Sequence, residues 1–268
     1  MRNNPSRRIR GLLCDVHGVL YIHPDPVPGS VEAVRRLAAS GFPHAFLTNS
    51  TQHDKAWIVA SLRAAGFDVP PERLVTAAEA AGRALRRRGH RRVGWLCAEA
   101  LARDIPGVEP VLPGRGERDV DAVLVGDLGE GFTYRALNEA FRWLLGGAEL
   151  VALARNRAYQ TPEGLVLDSG PFVGLLEEAA GVAATVAGKP APELFRTGLD
   201  LLGLAPSEAA MVGDDLDGDV LPAMDLGMTG VLVRTGKFRE APYAAAPRPA
   251  DRVVADLREA VEALLGGA

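Results

Sequence analysis

Residues 11–41 read GLLCDVHGVLYIHPDPVPGSVEAVRRLAASG, and the change of period inside this stretch decides the fold. The first residues are apolar up to Asp15, the length and pattern of a buried strand. Further on, Val31, Val34, Leu37 and Ala38 recur at helical spacing and make one apolar face, with Gly41 as the stop. A strand feeding a helix is half of a βαβ unit. The next run, PHAFLT, ends at Thr48, and a second helical pattern covers about Lys55 to Ala65 before Gly66 and the Pro70-Pro71 pair.

The alternation persists to the end of the chain, which predicts an α/β protein with mostly parallel sheet. The middle carries its own runs, VGWLC, DAVLVGD and ELVALAR, joined by helical stretches such as YRALNEAFRWLL. From Thr185 the sequence gives TVAGKPAPELF, AAMVGDD and TGVLVRTG, then an amphipathic helix from about Asp256 to Leu265. The first unit therefore closes only with the C-terminal third. The expected organisation is a Rossmann-like parallel-sheet core, residues 1–77 plus 187–268, with a second α/β unit inserted at 78–186.

Composition allows an enzyme and excludes some other classes. The 268 residues are 47% hydrophobic and 24% charged, enough for a sizeable core. A net charge of -4 argues against nucleic acid as a partner, because backbone binding needs a clustered positive face. The basic stretch LRRRGHRR at 85–92 has no interleaved aromatics and reads as a solvated helix end. Cys14 and Cys97 lie inside apolar runs without metal or disulfide spacing. The N-terminal apolar run is cut short by Asp15 and His17, and no stretch reaches membrane-spanning length, so a cytoplasmic protein without membrane contact is expected.

Four separated segments share one property. Asp15, Thr48 and Asp214 each follow an apolar run, and Lys189 precedes a helix that opens with Pro190 and Pro192. In open parallel sheets ligands bind at the carboxyl ends of the strands, so one site can gather residues distant in sequence. The residue types suit phosphoryl transfer. Asp15 is a candidate nucleophile, Thr48-Asn49-Ser50 offers a hydroxyl and backbone N–H groups for phosphoryl oxygens, and Lys189 offers a point charge. Asp214 in GDDLDGD suits Mg²⁺, which favours a few carboxylates plus waters and substrate oxygens. Taken singly, Asp15 also fits a strand-ending turn, Thr48-Asn49-Ser50 ordinary turn chemistry, and GDDLDGD an acidic surface loop. The order of all four favours a site.

These segments, DVHGVL, LTNST, GKPAPELF and VGDDLDGD, resemble the four motifs of the haloacid dehalogenase superfamily, in the family's order. The insertion resembles the α/β cap of the subclass that includes nucleotide and p-nitrophenyl phosphatases. NRAYQTPEGLVLDSGPFVGLLEEAAG, ATVAGKP and VRTGKFRE are similar to the branch acting on phospholysine, phosphohistidine and inorganic pyrophosphate. The resemblance implies that Asp15 is the nucleophile and a Mg²⁺ ligand, with the backbone carbonyl of His17 and Asp214 as further ligands and Asp219 orienting the metal shell. It implies that Asp15, Val16, His17, Thr48, Asn49 and Lys189 bind the phosphorylated small molecule or phosphoamino acid, and that a homodimer forms through the cap. Asp215 is adjacent and acidic, with no assigned role.

His17 departs from the common family pattern, which has an acid–base Asp there. Three readings follow: substrates that need little leaving-group protonation, an imidazole acting as the acid–base group near neutral pH, or a binder that has lost turnover. A dehalogenase attacking carbon is disfavoured by the retained acidic cluster, which such chemistry does not need.

Overall fold

The computed structural model describes residues 8–22, 24–117, 119–161 and 164–266. Its chain forms two compact units, one comprising Met1–Thr48, Ile58–Val75 and Lys189–Ala268, the other Asn49–Trp57 and Thr76–Gly188. Among the described residues no helix is long and apolar enough to cross a membrane.

The chain opens with β1 (Gly11–Asp15), the short antiparallel pair β2 (Tyr21–Ile22) and β3 (Asp25–Pro26), α1 (Ser30–Ser40), β4 (His44–Thr48), α2 (Lys55–Ala64) and β5 (Leu74–Thr76). After the second unit it returns with α-helices and strands that complete the same sheet, whose order is given below. β1 is fully buried, as a strand covered on both faces must be, and this is why its apolar run is continuous rather than alternating.

Helix α1 shows where the sequence pattern was displaced. Its buried residues are Ser30, Ala33, Val34 and Leu37, so the inward stripe lies one position earlier than Val31, Val34, Leu37 and Ala38. The reason is local: the Ser30 hydroxyl lies 2.7 Å from the Leu20 carbonyl and 2.6 Å from the Val27 carbonyl, either of which accepts its one proton, which satisfies a buried polar group and turns the first residue of the helix inward. Val31 is left at the margin of the core and Ala38 in solvent. Gly41 ends the helix as expected, at φ 67°, where its amide caps Ala38.

The second unit runs through α3 (Ala77–Arg87), β6 (Arg92–Leu96), β7 (Glu109–Val111), β8 (Ala122–Val125), α4 (Tyr134–Leu145), β9 (Glu149–Ala152), the hairpin β10 (Ala158–Thr161) and β11 (Gly164–Leu167), α5 (Gly170–Ala180) and β12 (Thr185–Val186). Its five-stranded sheet has the order β12-β9-β8-β6-β7 with parallel pairings throughout. A separate core of Leu96, Val123, Val125, Trp143, Leu150, Val173 and Leu176 holds α4 and α5 against it. Thr76 caps α3 with a reciprocal capping box to Glu79.

The chain then adds α6 (Pro192–Leu202), β13 (Ala209–Gly213), α7 (Leu221–Asp225), β14 (Thr229–Val233), α8 (Glu240–Ala244), β15 (Arg252–Val254) and α9 (Leu257–Leu265). The first unit's six-stranded sheet has the order β15-β14-β13-β1-β4-β5. Its pairings from β15 to β4 are all parallel, with Leu12 facing Ala210 on one side and His44 on the other. One core cluster runs from Leu12, Cys14 and Phe46 through Leu62 and Phe67 to Val212, Val231 and Val261.

Packing in the second unit is close enough to decide the effect of a single methyl. A Cβ at Gly94 in β6 would lie 2.5 Å from Trp143 Cε3, and the ring is held there because its indole N–H donates to the Glu117 carbonyl at 2.8 Å. Gly94→Ala is expected to destabilise the protein by about 1–3 kcal/mol through overpacking. Gly174→Ala in α5, where a Cβ meets nothing within 4 Å, is expected to stabilise it by up to about 1 kcal/mol through helix propensity. Denaturant melts of the two variants check this; equal stabilities would contradict the packing account.

Candidate active site

The parallel order of the first sheet puts Asp15 at the end of β1, Thr48 at the end of β4 and Asp214 just past β13, all at the same edge. Lys189 reaches that edge from the turn before α6. Its ammonium is 2.5 Å from Asp15 Oδ1 and 2.7 Å from Asp219 Oδ1. Asp15, Thr48, Lys189, Asp214 and Asp219 are all buried, so these charges meet with little water between them.

Each acidic side chain is held by backbone. The Val16 amide donates to Asp15 Oδ1 at 2.7 Å. Asp215 caps the following turn, accepting from the amides of Asp217 and Gly218 at 3.1 and 2.9 Å. That turn, Leu216–Val220, is wound more widely than an α-helix and brings Asp219 back towards the strand. The amide of Asp215 then donates to Asp219 Oδ2 at 3.3 Å. Gly213 is required for this return, since a Cβ there would lie 2.5 Å from Asp219 Oδ2.

The loop after β14 closes the edge from the other side. The Thr235 hydroxyl donates to the Gly18 carbonyl at 2.5 Å, and the Lys237 amide donates to Asp214 Oδ2 at 2.7 Å. The Lys237 ammonium meets Asp215 Oδ2 at 2.9 Å. Sequence reasoning passed over Thr235 and Gly236 as site residues, although TGK follows an apolar run at a strand's carboxyl end, the signal that selected the others.

Electrostatics follow from three buried carboxylates around one ammonium. Burial disfavours the charge on Lys189, but Asp15 and Asp219 outweigh it and hold the ammonium charged well above the ordinary lysine range. Burial, with Asp214 nearby, raises the Asp15 carboxyl against the pull of Lys189. Burial pushes Asp214 up to about 6, with Asp219 adding to it, and pushes Asp219 up to about 7, with Asp15 adding to it. One oxygen from each of Asp15, Asp214 and Asp219 lies within 4.8 Å of the others. Among the described residues Asp214 Oδ1 is buried without a hydrogen-bond partner. An excess of buried negative charge and an orphaned carboxylate oxygen suit a hard divalent cation, which takes oxygen ligands.

The other sequence candidates are placed as follows. Val16 is buried beside Asp15 and contributes its amide. His17 is exposed, with its ring edge-on to Tyr21 at 5.6 Å between centroids. Asn49 and Ser50 belong to the second unit, where a Cβ at Gly188 would lie 2.6 Å from Asn49 Oδ1.

Comparisons with known proteins show the family of the chain. The model of the haloacid dehalogenase-like hydrolases matches residues 12–108, and a second model, described as HAD-hydrolase-like, matches residues 186–260. The phospholysine phosphohistidine inorganic pyrophosphate phosphatase of Danio rerio is 40% identical over 265 residues, covering 97% of this chain and 95% of its own length. A 4-nitrophenylphosphatase structure from Thermotoga maritima superposes with a TM-score of 0.86 at 27% identity, covering 96% of this chain and 98% of that one. The glycerol phosphate phosphatase of Mycobacterium tuberculosis, solved in complex with magnesium, gives a TM-score of 0.82 at 30% identity, covering 93% and 76%. These three relatives carry phosphatase names, which gives no support to the non-catalytic reading that His17 left open. With a parallel-sheet core, an inserted α/β unit and relatives of this kind along nearly its whole length, the chain belongs to the haloacid dehalogenase-like hydrolases and is a phosphatase of that family.

Proposed function

We propose that the protein is a Mg²⁺-dependent phosphohydrolase that works through an aspartyl-phosphate and prefers P–N or P–O–P bonds, as in phosphoamino acids and pyrophosphate. The observation that carries this reading is the buried set of Asp15, Lys189, Asp214 and Asp219, in which one ammonium faces three carboxylates. Lys189 and the Val16 amide both engage Asp15 Oδ1, leaving Oδ2 to attack phosphorus. As the O–P bond forms, the bond to the leaving group breaks and its electron pair departs with that group. Water then attacks the same phosphorus, inorganic phosphate leaves, and the Asp15 carboxylate is restored.

The remaining residues position charge. Lys189 neutralises nucleophile and transferring phosphoryl together, and Thr48 with Asn49 binds the phosphoryl oxygens. Asp15, Asp214 and the His17 carbonyl hold the ion and Asp219 orients its shell. Bound there, Mg²⁺ supplies positive charge against the phosphoryl oxygens.

The side chain of His17 accounts for the substrate preference. General acid help to an alkoxide leaving group is worth about 10²–10⁴-fold, and no carboxylic acid stands at residue 17 to give it. A stable phosphate ion needs that help least, and a phosphoramidate nitrogen is protonated before it departs. The names of the relatives, which include phospholysine, phosphohistidine and pyrophosphate, support the same substrate class.

Two outcomes are expected. In phosphate-release assays with Mg²⁺, the unmodified protein cleaves pyrophosphate and imidodiphosphate, Asp15→Asn is inactive, and His17→Asp gains activity on p-nitrophenyl phosphate. Turnover of a sugar phosphate at a comparable rate by the unmodified protein would overturn the preference. The second concerns pH. Asp214 and Asp219 have folded-state values raised to about 6 and about 7, so the stability of the metal-free fold gained by protonating them is complete below their unfolded values and lost as pH rises through about 6 to 7. At higher pH the carboxylates repel and the cation relieves them; at lower pH protons compete with it. The rise in Tm caused by Mg²⁺ should therefore be larger at about pH 8 than at about pH 5, and an equal rise at both would contradict the assignment of these carboxylates to the ion.

A further inference from the structure

Asp214 Oδ2 is wedged between two glycines. A Cβ at Gly18 would lie 1.9 Å from it, and a Cβ at Gly236 would lie 2.0 Å from it and 2.7 Å from Gly18 Cα. Both glycines have positive φ, 86° and 55°, so each is fixed by conformation as well as by space. The same oxygen accepts the Lys237 amide at 2.7 Å, while Thr235 ties its hydroxyl to the Gly18 carbonyl at 2.5 Å. Oδ1 of the same carboxylate is buried and has no hydrogen-bond partner among the described residues.

We infer that Thr235-Gly236-Lys237, outside the four motif segments, is a positioning element for the metal site. It fixes the Asp214 carboxylate through Oδ2 and presents Oδ1 alone to the cation, and it pins the backbone of Gly18, next to His17. The inference rests on the reading of Asp214 as a metal ligand. The Lys237 ammonium is mostly solvated and its pairing with Asp215 contributes little; the amide of Lys237 is the group that acts. The effect of the three residues passes through the orientation of Asp214 and of the loop that follows Asp15, as supporting groups around a metal commonly act.

The test is Mg²⁺ affinity of the full chain, read by titration calorimetry and by the Mg²⁺-dependent Tm, with no substrate present. Thr235→Val and Gly236→Ala are expected to weaken Mg²⁺ binding by roughly 10–100-fold, whereas Thr235→Ser, which keeps the donor, restores affinity to about that of the unmodified protein. Gly41→Ala serves as the control for left-handed strain, because Gly41 has φ 67° with nothing within 4 Å of its added Cβ; it should lower the metal-free Tm without changing Mg²⁺ affinity. If Gly236→Ala does not fold, the Thr235→Val and Thr235→Ser pair decides alone. Unchanged affinity in Thr235→Val, beside normal binding by the unmodified protein, overturns the inference and leaves the proposed function standing. Absence of Mg²⁺ binding by the unmodified protein overturns both.

Discussion

The Lys189 ammonium, set between Asp15 and Asp219, is the constraint on which the rest of the core depends. Three buried carboxylates at one edge of a sheet would repel one another and each would pay the cost of leaving water. One buried cation makes the grouping tolerable without cancelling it. What remains is a cluster with more acidic than basic groups, in which Asp214 Oδ1 is buried with no hydrogen-bond partner among the described residues.

The fold supplies this arrangement by topology rather than by neighbourhood in sequence. The parallel pairing of β1 with β4 and β13 sends three strand ends to one edge, and the turn before α6 delivers the lysine there. Burial on both faces of the sheet forbids a loose fit. The wide turn Leu216–Val220 then doubles the chain back so that Asp215 caps it and Asp219 reaches the lysine. An ordinary helical start would carry Asp219 along the helix axis instead.

Much of this was readable from residues alone, for a physical reason. A buried strand must be apolar to its end, so the first charged or hydroxyl residue after such a run marks the sheet's edge, as Asp15, Thr48 and Asp214 do. The α/β class and the inserted second sheet follow from the same runs. In α1 the pattern found Val34 and Leu37 but missed Ser30 and Ala33 and took in the exposed Ala38, because a buried serine next to carbonyl acceptors counted as polar. Thr235 and Gly236 were missed because they carry no charge: a hydroxyl and an absent side chain look like turn chemistry until the carboxylate they enclose is seen. The wide turn was equally illegible, since LDGDV has the composition of any acidic loop.

The pairing of β1 with β13 has a consequence for how the chain is made. β1 is a central strand, yet its neighbour on one side lies beyond the whole second unit, with Leu12 opposite Ala210. During synthesis the sheet of the second unit, drawn from residues 92–186, is complete before β13 exists. Until then β1 keeps one row of backbone groups unpaired on a strand that is apolar up to Asp15, an edge of the kind that recruits other chains. A chain ending before residue 209 therefore carries an open half-sheet, and β13, which brings Asp214 to the edge where Asp15 lies, is also the strand that covers the exposed side of β1 before β14 and β15 extend the sheet.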